Sequence, residues 1–132
     1  MRDTDVAWLA GIIDGEGSVS VHSVLGKYAS PNIQVGMTHR GTIEKIRSLV
    51  GGKVVLRPSP NKRWKPCWMW NVYGQDASRV ASIVLPYVVT KRPQITLLTM
   101  MPAGSKTYGE ESNVALRYWF AEASYGLNQR GS

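Results

Sequence analysis

The sequence has 132 residues, enough for one compact domain with a sizeable core and too few for two ordinary ones. Sixteen Lys and Arg against nine Asp and Glu give a net charge of +7, which favours an anionic partner, nucleic acid first among them. The single Cys67 excludes an internal disulfide and a cysteine zinc site, which fits a reducing compartment, and no apolar run is long enough to span a bilayer.

No composition shift, repeat or low-complexity stretch marks a linker, so one unit over 1–132 is expected. Asp3 and Asp5 close to Met1 do not fit a targeting presequence. The expected location is intracellular, in a cytoplasm or in an organelle that encodes the protein, with no membrane partner.

Asp3 or Thr4 can cap a helix from about Asp5 to Asp14, which places Trp8, Gly11, Ile12 and Gly15 on one face and Leu9 and Ile13 on another. Gly15-Glu16-Gly17 reads as its stop, because glycine permits backbone conformations closed to other residues. From Ser18 the period becomes two. Val19 and Val21 alternate with Ser18, Ser20 and His22, and after Gly26 the segment with Ile33, Val35 and Met37 alternates with Asn32, Gln34, Gly36 and Thr38. Two half-buried strands share one apolar and one polar face.

Ile43, Ile46, Leu49 and Val50 recur at helical spacing, and Gly51-Gly52 is a fitting helix end. Lys53 to Arg57 and Arg63 to Tyr73 read as two further strands joined by a turn region from Pro58 to Lys62. Asp76 can cap a third helix that ends near Pro86; a shorter helix follows Pro93, and a last one runs from Asn113 to Ser124. Strands grouped in hairpins with helices between them predict an α+β domain with a largely antiparallel sheet.

One sheet face would pack on the helices and leave the other open, lined by Ser, His, Asn, Gln and Thr that can hydrogen-bond base edges. Flanking Lys and Arg can meet phosphates, and a two-stranded ribbon fits the major groove. An ordinary solvated sheet face is the competing reading of the same alternation.

Leu9-Ala10-Gly11-Ile12-Ile13-Asp14-Gly15-Glu16-Gly17 resembles the signature of the LAGLIDADG homing endonucleases, with Ile, Gly and Glu at three positions where the size or chemistry class is kept. Leu49 to Val54 resembles the family's helix-to-strand corner, and Trp70 to Lys91 its strand, helix and lysine segment, so the likeness covers about residues 5–100. It implies the order αββαββα, with a saddle of antiparallel strands that straddles double-stranded DNA. With one motif it implies a homodimer through Trp8, Gly11, Ile12 and Gly15, where the two glycines let helices approach closely.

In that resemblance Glu16 is the metal ligand, aided by a backbone carbonyl near Gly15. Twofold symmetry would bring two copies of Glu16 together, and carboxylate oxygens suit Mg²⁺. Lys91 matches the family's basic residue beside the reacting phosphate, and Asp14 the first acid, with a supporting part. His39 corresponds to a polar residue that orients the water network, with Thr38 and Arg40 as alternatives one place to either side.

The implied activity is a site-specific double-strand cut by metal-dependent phosphodiester hydrolysis in a long, nearly palindromic DNA site. Base-facing residues would be Ser18, Ser20, His22, Asn32, Gln34 and Thr38; Arg57, Lys62, Arg63 and Lys65 would meet the backbone, with Arg40 also on the DNA. Two other functions fit the same fold: a maturase that binds intron RNA, and a DNA-binding protein without cleavage.

Overall fold

A computed structural model describes residues 1–24, 28–61, 63–101 and 123–128. Eight elements follow one another: α1 (Asp3–Glu16), β1 (Gly17–Val24), β2 (Tyr28–Met37), α2 (Arg40–Val50), β3 (Lys53–Arg57), β4 (Cys67–Tyr73), α3 (Gly74–Val84) and α4 (Arg92–Met100). Residues 123–128 are also helical; of the last helix expected from Asn113, only Ala123 and Ser124 lie within the described residues.

The four strands form one antiparallel sheet in the order β1-β2-β4-β3. Register fixes its two faces. Val19 lies opposite Ile33, Ile33 opposite Val72, and Val35 opposite Trp70, and all five side chains are at most 2% exposed. Burying side chains of this kind contributes about 1.5–3 kcal/mol each. They join Leu9 and Ile13 of α1, Ile43 and Ile46 of α2, Val80 and Val84 of α3 and Ile95 and Leu98 of α4 in one core. The helices cover this apolar face.

Several ends differ from the sequence expectation. The helix α1 starts at Asp3, with Arg2 at its cap position; the Arg2 carbonyl takes the N–H groups of Asp5 and Val6, and no side chain caps. Asp3 and Asp5 instead fall in the first turn, where their charge opposes the positive end of the helix dipole. The helix runs through Gly15 and Glu16, and Gly17 has an ordinary extended backbone. Gly17 is required for space: a Cβ there would stand 2.7 Å from the Ile13 carbonyl oxygen.

Asp76 lies in the first turn of α3, which begins at Gly74 in the left-handed region (φ 59°). At the other corner Gly51 and Gly52 do end α2 with positive φ, 75° and 102°. The Trp70 indole N–H donates to the Gly51 carbonyl at 2.7 Å and ties this corner to the middle of the sheet. Strand β4 starts at Cys67 rather than Arg63, because Pro66 has no N–H to give a ladder and Asn61 takes the N–H groups of Arg63 and Trp64.

Beyond β1 the sheet edge is covered. The Val21 N–H donates to Ser124 Oγ at 2.9 Å, and Asn128 Nδ2 donates to the Val19 carbonyl at 3.0 Å. Gln94 of α4 in turn donates to Asn128 Oδ1 at 3.3 Å.

Candidate active site and nucleic-acid interface

Because α1 passes directly into β1, Glu16 stands at the junction of the last helical turn and the open sheet face. Its side chain is exposed, and among the described residues no hydrogen bond or ion pair engages the carboxylate. It borders an open depression with Gly36, Met37, Thr38, His39 and Cys67, at the ends of β2 and β4. Carbonyls of a last helical turn lack intrahelical partners, so hard oxygen donors gather here.

Two residues back, Asp14 points at the loop before α4. Its Oδ2 accepts the Val89 N–H at 2.8 Å and its Oδ1 the Lys91 N–H at 3.0 Å. Lys91 Nζ returns a hydrogen bond to the Asp14 carbonyl at 3.4 Å, a cation set against the negative end of α1. Lys91 also occupies the cap position of α4, so the Asp14 carboxylate meets the positive end of that helix. Asp14 therefore joins two elements, and it brings Lys91 to the end of α1 that carries Glu16.

A divalent cation fits part of this donor set. Glu16 offers free carboxylate oxygens, and the helix end offers carbonyls, the chemistry that Mg²⁺ takes. Among the described residues no three His, Cys, Asp or Glu side chains are grouped closely enough to hold a metal. The remaining ligands would have to be water, phosphate oxygens or a second chain.

His39 caps α2. Its Nδ1 accepts the Thr42 N–H at 3.1 Å and lies 2.8 Å from Thr42 Oγ1. With Nδ1 accepting, the ring hydrogen sits on Nε2, which is left as a donor beside the depression. Thr38 is exposed just outside β2. The Arg40 guanidinium lies over the Trp68 ring, 4.6 Å from its centre, and within 3.8 Å of Glu44, which anchors it to its own chain.

On the open face Ser18 lies opposite Gln34, Ser20 opposite Asn32, Gln34 opposite Asn71, and Asn71 opposite Lys53. Ser18 is exposed, and Ser20 and Gln34 are half-buried. Asn32 is only 4% exposed, and its Oδ1 has no hydrogen-bond partner among the described residues. The backbone of His22 pairs with Ser30, and its side chain lies outside the described part, as does Lys62. Arg57, Arg63 and Lys65 are exposed around the β3–β4 turn. Lys53 and Asn71 share this face; the alternation of β3 carried the signal for Lys53, two residues from Val55 and four from Arg57.

On α1, a Cβ added at Gly11 or Gly15 would meet no described atom within 4 Å beyond the helix's own neighbouring backbone. Nothing in the described part of the chain needs either glycine small. Ile12 and Trp8 beside them are half-buried against the core, and Lys45 lies 4.3 Å from the centre of the Trp8 ring. The helix thus has two apolar stripes, one in the core and one that carries the exposed Gly11 and Gly15.

No family model matches the sequence, and no curated protein matches it. Solved structures do. The homing endonuclease I-CvuI, in complex with its DNA target in the presence of Ca, superposes with a TM-score of 0.72 at 22% identity, covering 97% of this chain and 84% of that one. An archaeal intron-encoded homing endonuclease complexed with DNA, I-Vdi141I, gives 0.72 at 17% identity over 100% and 87% of the two chains. The longer LAGLIDADG homing endonuclease I-GzeII, also on its DNA target, gives 0.57 at 20% identity over 73% of this chain and 34% of that one. The chain has the fold of the LAGLIDADG homing endonucleases.

Proposed function

We propose that the chain is a site-specific DNA endonuclease that works as a homodimer and hydrolyses phosphodiesters with a divalent metal. The observation that carries this reading is the convergence of an unengaged Glu16 carboxylate and Lys91 at the end of α1, beside a polar sheet face. A protein of this fold that only bound DNA would have no use for an open carboxylate facing a phosphate backbone, since carboxylate and phosphate repel without a cation between them.

Glu16 and the carbonyl of Gly15 would hold the metal, which supplies Lewis acidity and a more acidic bound water. The rest falls to this chain's own groups. Lys91, fixed by Asp14, places a positive charge against the phosphate as negative charge grows on its oxygens. His39 Nε2–H holds a water near the same phosphate. Ser18, Ser20 and Gln34 read base edges from the open face, and Lys53, Arg57, Arg63 and Lys65 meet phosphates. Two copies packed through Gly11 and Gly15 would place a Glu16 against each strand and set the near-palindromic form of the site.

The test is cleavage of a duplex that the purified chain enriches from a randomised library in Ca²⁺. In Mg²⁺ the wild type cuts both strands, and Glu16→Gln lowers the rate by at least about 100-fold while Kd in Ca²⁺ changes by no more than about threefold. A Glu16→Gln protein that cuts as fast as wild type removes Glu16 from the chemistry. A wild type that binds the duplex and never cuts it is a DNA-binding protein of this fold, and one that enriches no duplex and binds structured RNA is a maturase.

A further inference from the structure

The β3–β4 turn presents an aromatic side chain that the polar-face reading does not use. Trp64 is 65% exposed, whereas Trp70 is fully buried and Trp8 and Trp68 pack against the core. The turn that carries it is stiff. Pro58, Pro60 and Pro66 fix their own backbone, and Asn61 organises the rest: its Oδ1 takes the Arg63 N–H at 3.0 Å and its carbonyl takes the Trp64 N–H at 3.0 Å. Ser59 Oγ donates to the same carbonyl at 2.8 Å and accepts the Asn61 N–H at 3.2 Å. A turn built this way holds Trp64 in the open at little entropic cost on binding.

Its surroundings are cationic. From Lys45 to Gln75 the sequence has no Asp or Glu, while Lys53, Arg57, Arg63 and Lys65 fall on β3 and this turn. The turn leaves the sheet at the end where β1 begins, directly after Glu16. The order β1-β2-β4-β3 sets it two to three strand spacings to the side, ~10–14 Å. At a rise of about 3.4 Å per base pair, that is on the order of four base pairs along a duplex lying across the sheet.

We propose that Trp64 is a DNA contact, an indole pressed against the bases and sugars of one half-site while Arg63 and Lys65 hold the phosphates on either side. An aromatic ring on a rigid support can stack on or wedge beside a base whatever its identity, so this contact adds affinity without reading sequence. The inference rests on the endonuclease reading for its partner, duplex DNA, and not on cleavage.

The experiment measures anisotropy of a labelled duplex enriched from a randomised library by the wild-type chain, in Ca²⁺, over a range of salt. Trp64→Ala is expected to weaken Kd by roughly 5- to 100-fold, the scale of one lost base–aromatic contact, and Trp64→Phe to recover most of it. Because no charge changes, the slope of log Kd against log salt stays at its wild-type value in both. Arg63→Ala reduces that slope by about one, as loss of a phosphate contact must. The melting temperature of Trp64→Ala stays at the wild-type value, since the indole is exposed.

If Trp64→Ala binds as tightly as wild type, the proposal falls and the endonuclease reading stands. If the loss of binding tracks a lowered melting temperature and Trp64→Phe is no better, Trp64 is structural and the proposal also falls. If wild type binds no duplex, the endonuclease reading itself fails and takes this contact with it.

Discussion

Asp14 and Lys91, 77 residues apart, are joined twice: the Lys91 N–H donates to the Asp14 carboxylate at 3.0 Å, and the Lys91 ammonium donates to the Asp14 carbonyl at 3.4 Å. With the Val89 N–H on the second carboxylate oxygen, the end of α1 is tied to the start of α4 by three hydrogen bonds. Asn at position 14 would replace one acceptor oxygen by an NH₂ group facing a backbone N–H. Asp14→Asn is therefore expected to lose about 1.5–3 kcal/mol of stability, the worth of a hydrogen bond to a charged group. The latch also sets where Lys91 stands. In the endonuclease reading, Asp14→Asn lowers the cleavage rate while Kd for the duplex in Ca²⁺ holds, as Lys91→Ala does. Unchanged melting and unchanged cleavage in Asp14→Asn would show that other contacts hold the lysine.

The pair Gly11 and Gly15 yields two effects of opposite sign. Apart from the helix's own neighbouring backbone, neither glycine has an atom of the described chain within 4 Å of where a Cβ would be, and both sit inside a helix. For the isolated chain, Gly11→Ala should add roughly 0.5–1 kcal/mol, the ordinary gain of Ala over Gly in a helix. Across a close helix–helix contact the same methyl groups would push two copies apart. Gly11→Ala/Gly15→Ala is expected to sediment as a monomer at concentrations where wild type is a dimer, while its melting at high dilution is raised. A double variant that remains a dimer with wild-type affinity would move the interface off this face of α1.

How far the sequence foretells the molecule depends on the range of the physics involved. Period-two alternation is local, and it correctly gave Val19, Ile33 and Val35 to the core and Ser18 and Gln34 to the open face. The signature at Leu9 to Gly17 likewise gave the place of Glu16, since a helix entering a strand is visible in the chain itself. Depth was not legible. Alternation puts Asn32 on the polar face, but its burial follows from lying between β1 and β4, whose paired residue Tyr73 is 41 residues on in sequence.

The Asp14 latch was hidden for the same reason, because its partners are backbone N–H groups that carry no residue signature. Backbone freedom at Gly15-Glu16-Gly17, the reason the sequence offers for a helix stop there, is not what Gly17 supplies. Its φ is −86°, open to any residue, and what requires glycine is the nearness of the Ile13 carbonyl across one helical turn.

The covered edge of β1 supplies a last prediction. An edge strand exposes a row of unpaired N–H and C=O groups that invite another strand, and here Ser124 and Asn128 occupy two of them, at Val21 and Val19. The Val21–Ser124 bond is buried, so Ser124→Ala leaves an N–H without its partner and should cost about 1–3 kcal/mol. Asn128→Ala removes the bond to Val19 and also strips the buried Gln94 of its acceptor, so a cost of similar size is expected. The two residues hold the same strand, so their effects in Ser124→Ala/Asn128→Ala should depart from the sum of the singles, as those of coupled neighbours do. Because β1 carries Ser18 and Ser20 on the open face, loosening it should also weaken discrimination between matched and mismatched duplexes more than total affinity, which phosphate contacts dominate. Denaturation midpoints and competition binding measure the two effects. Stability lost with discrimination intact would confine the C-terminal helix to guarding the edge, and no loss of either would mean that solvent satisfies β1 without it.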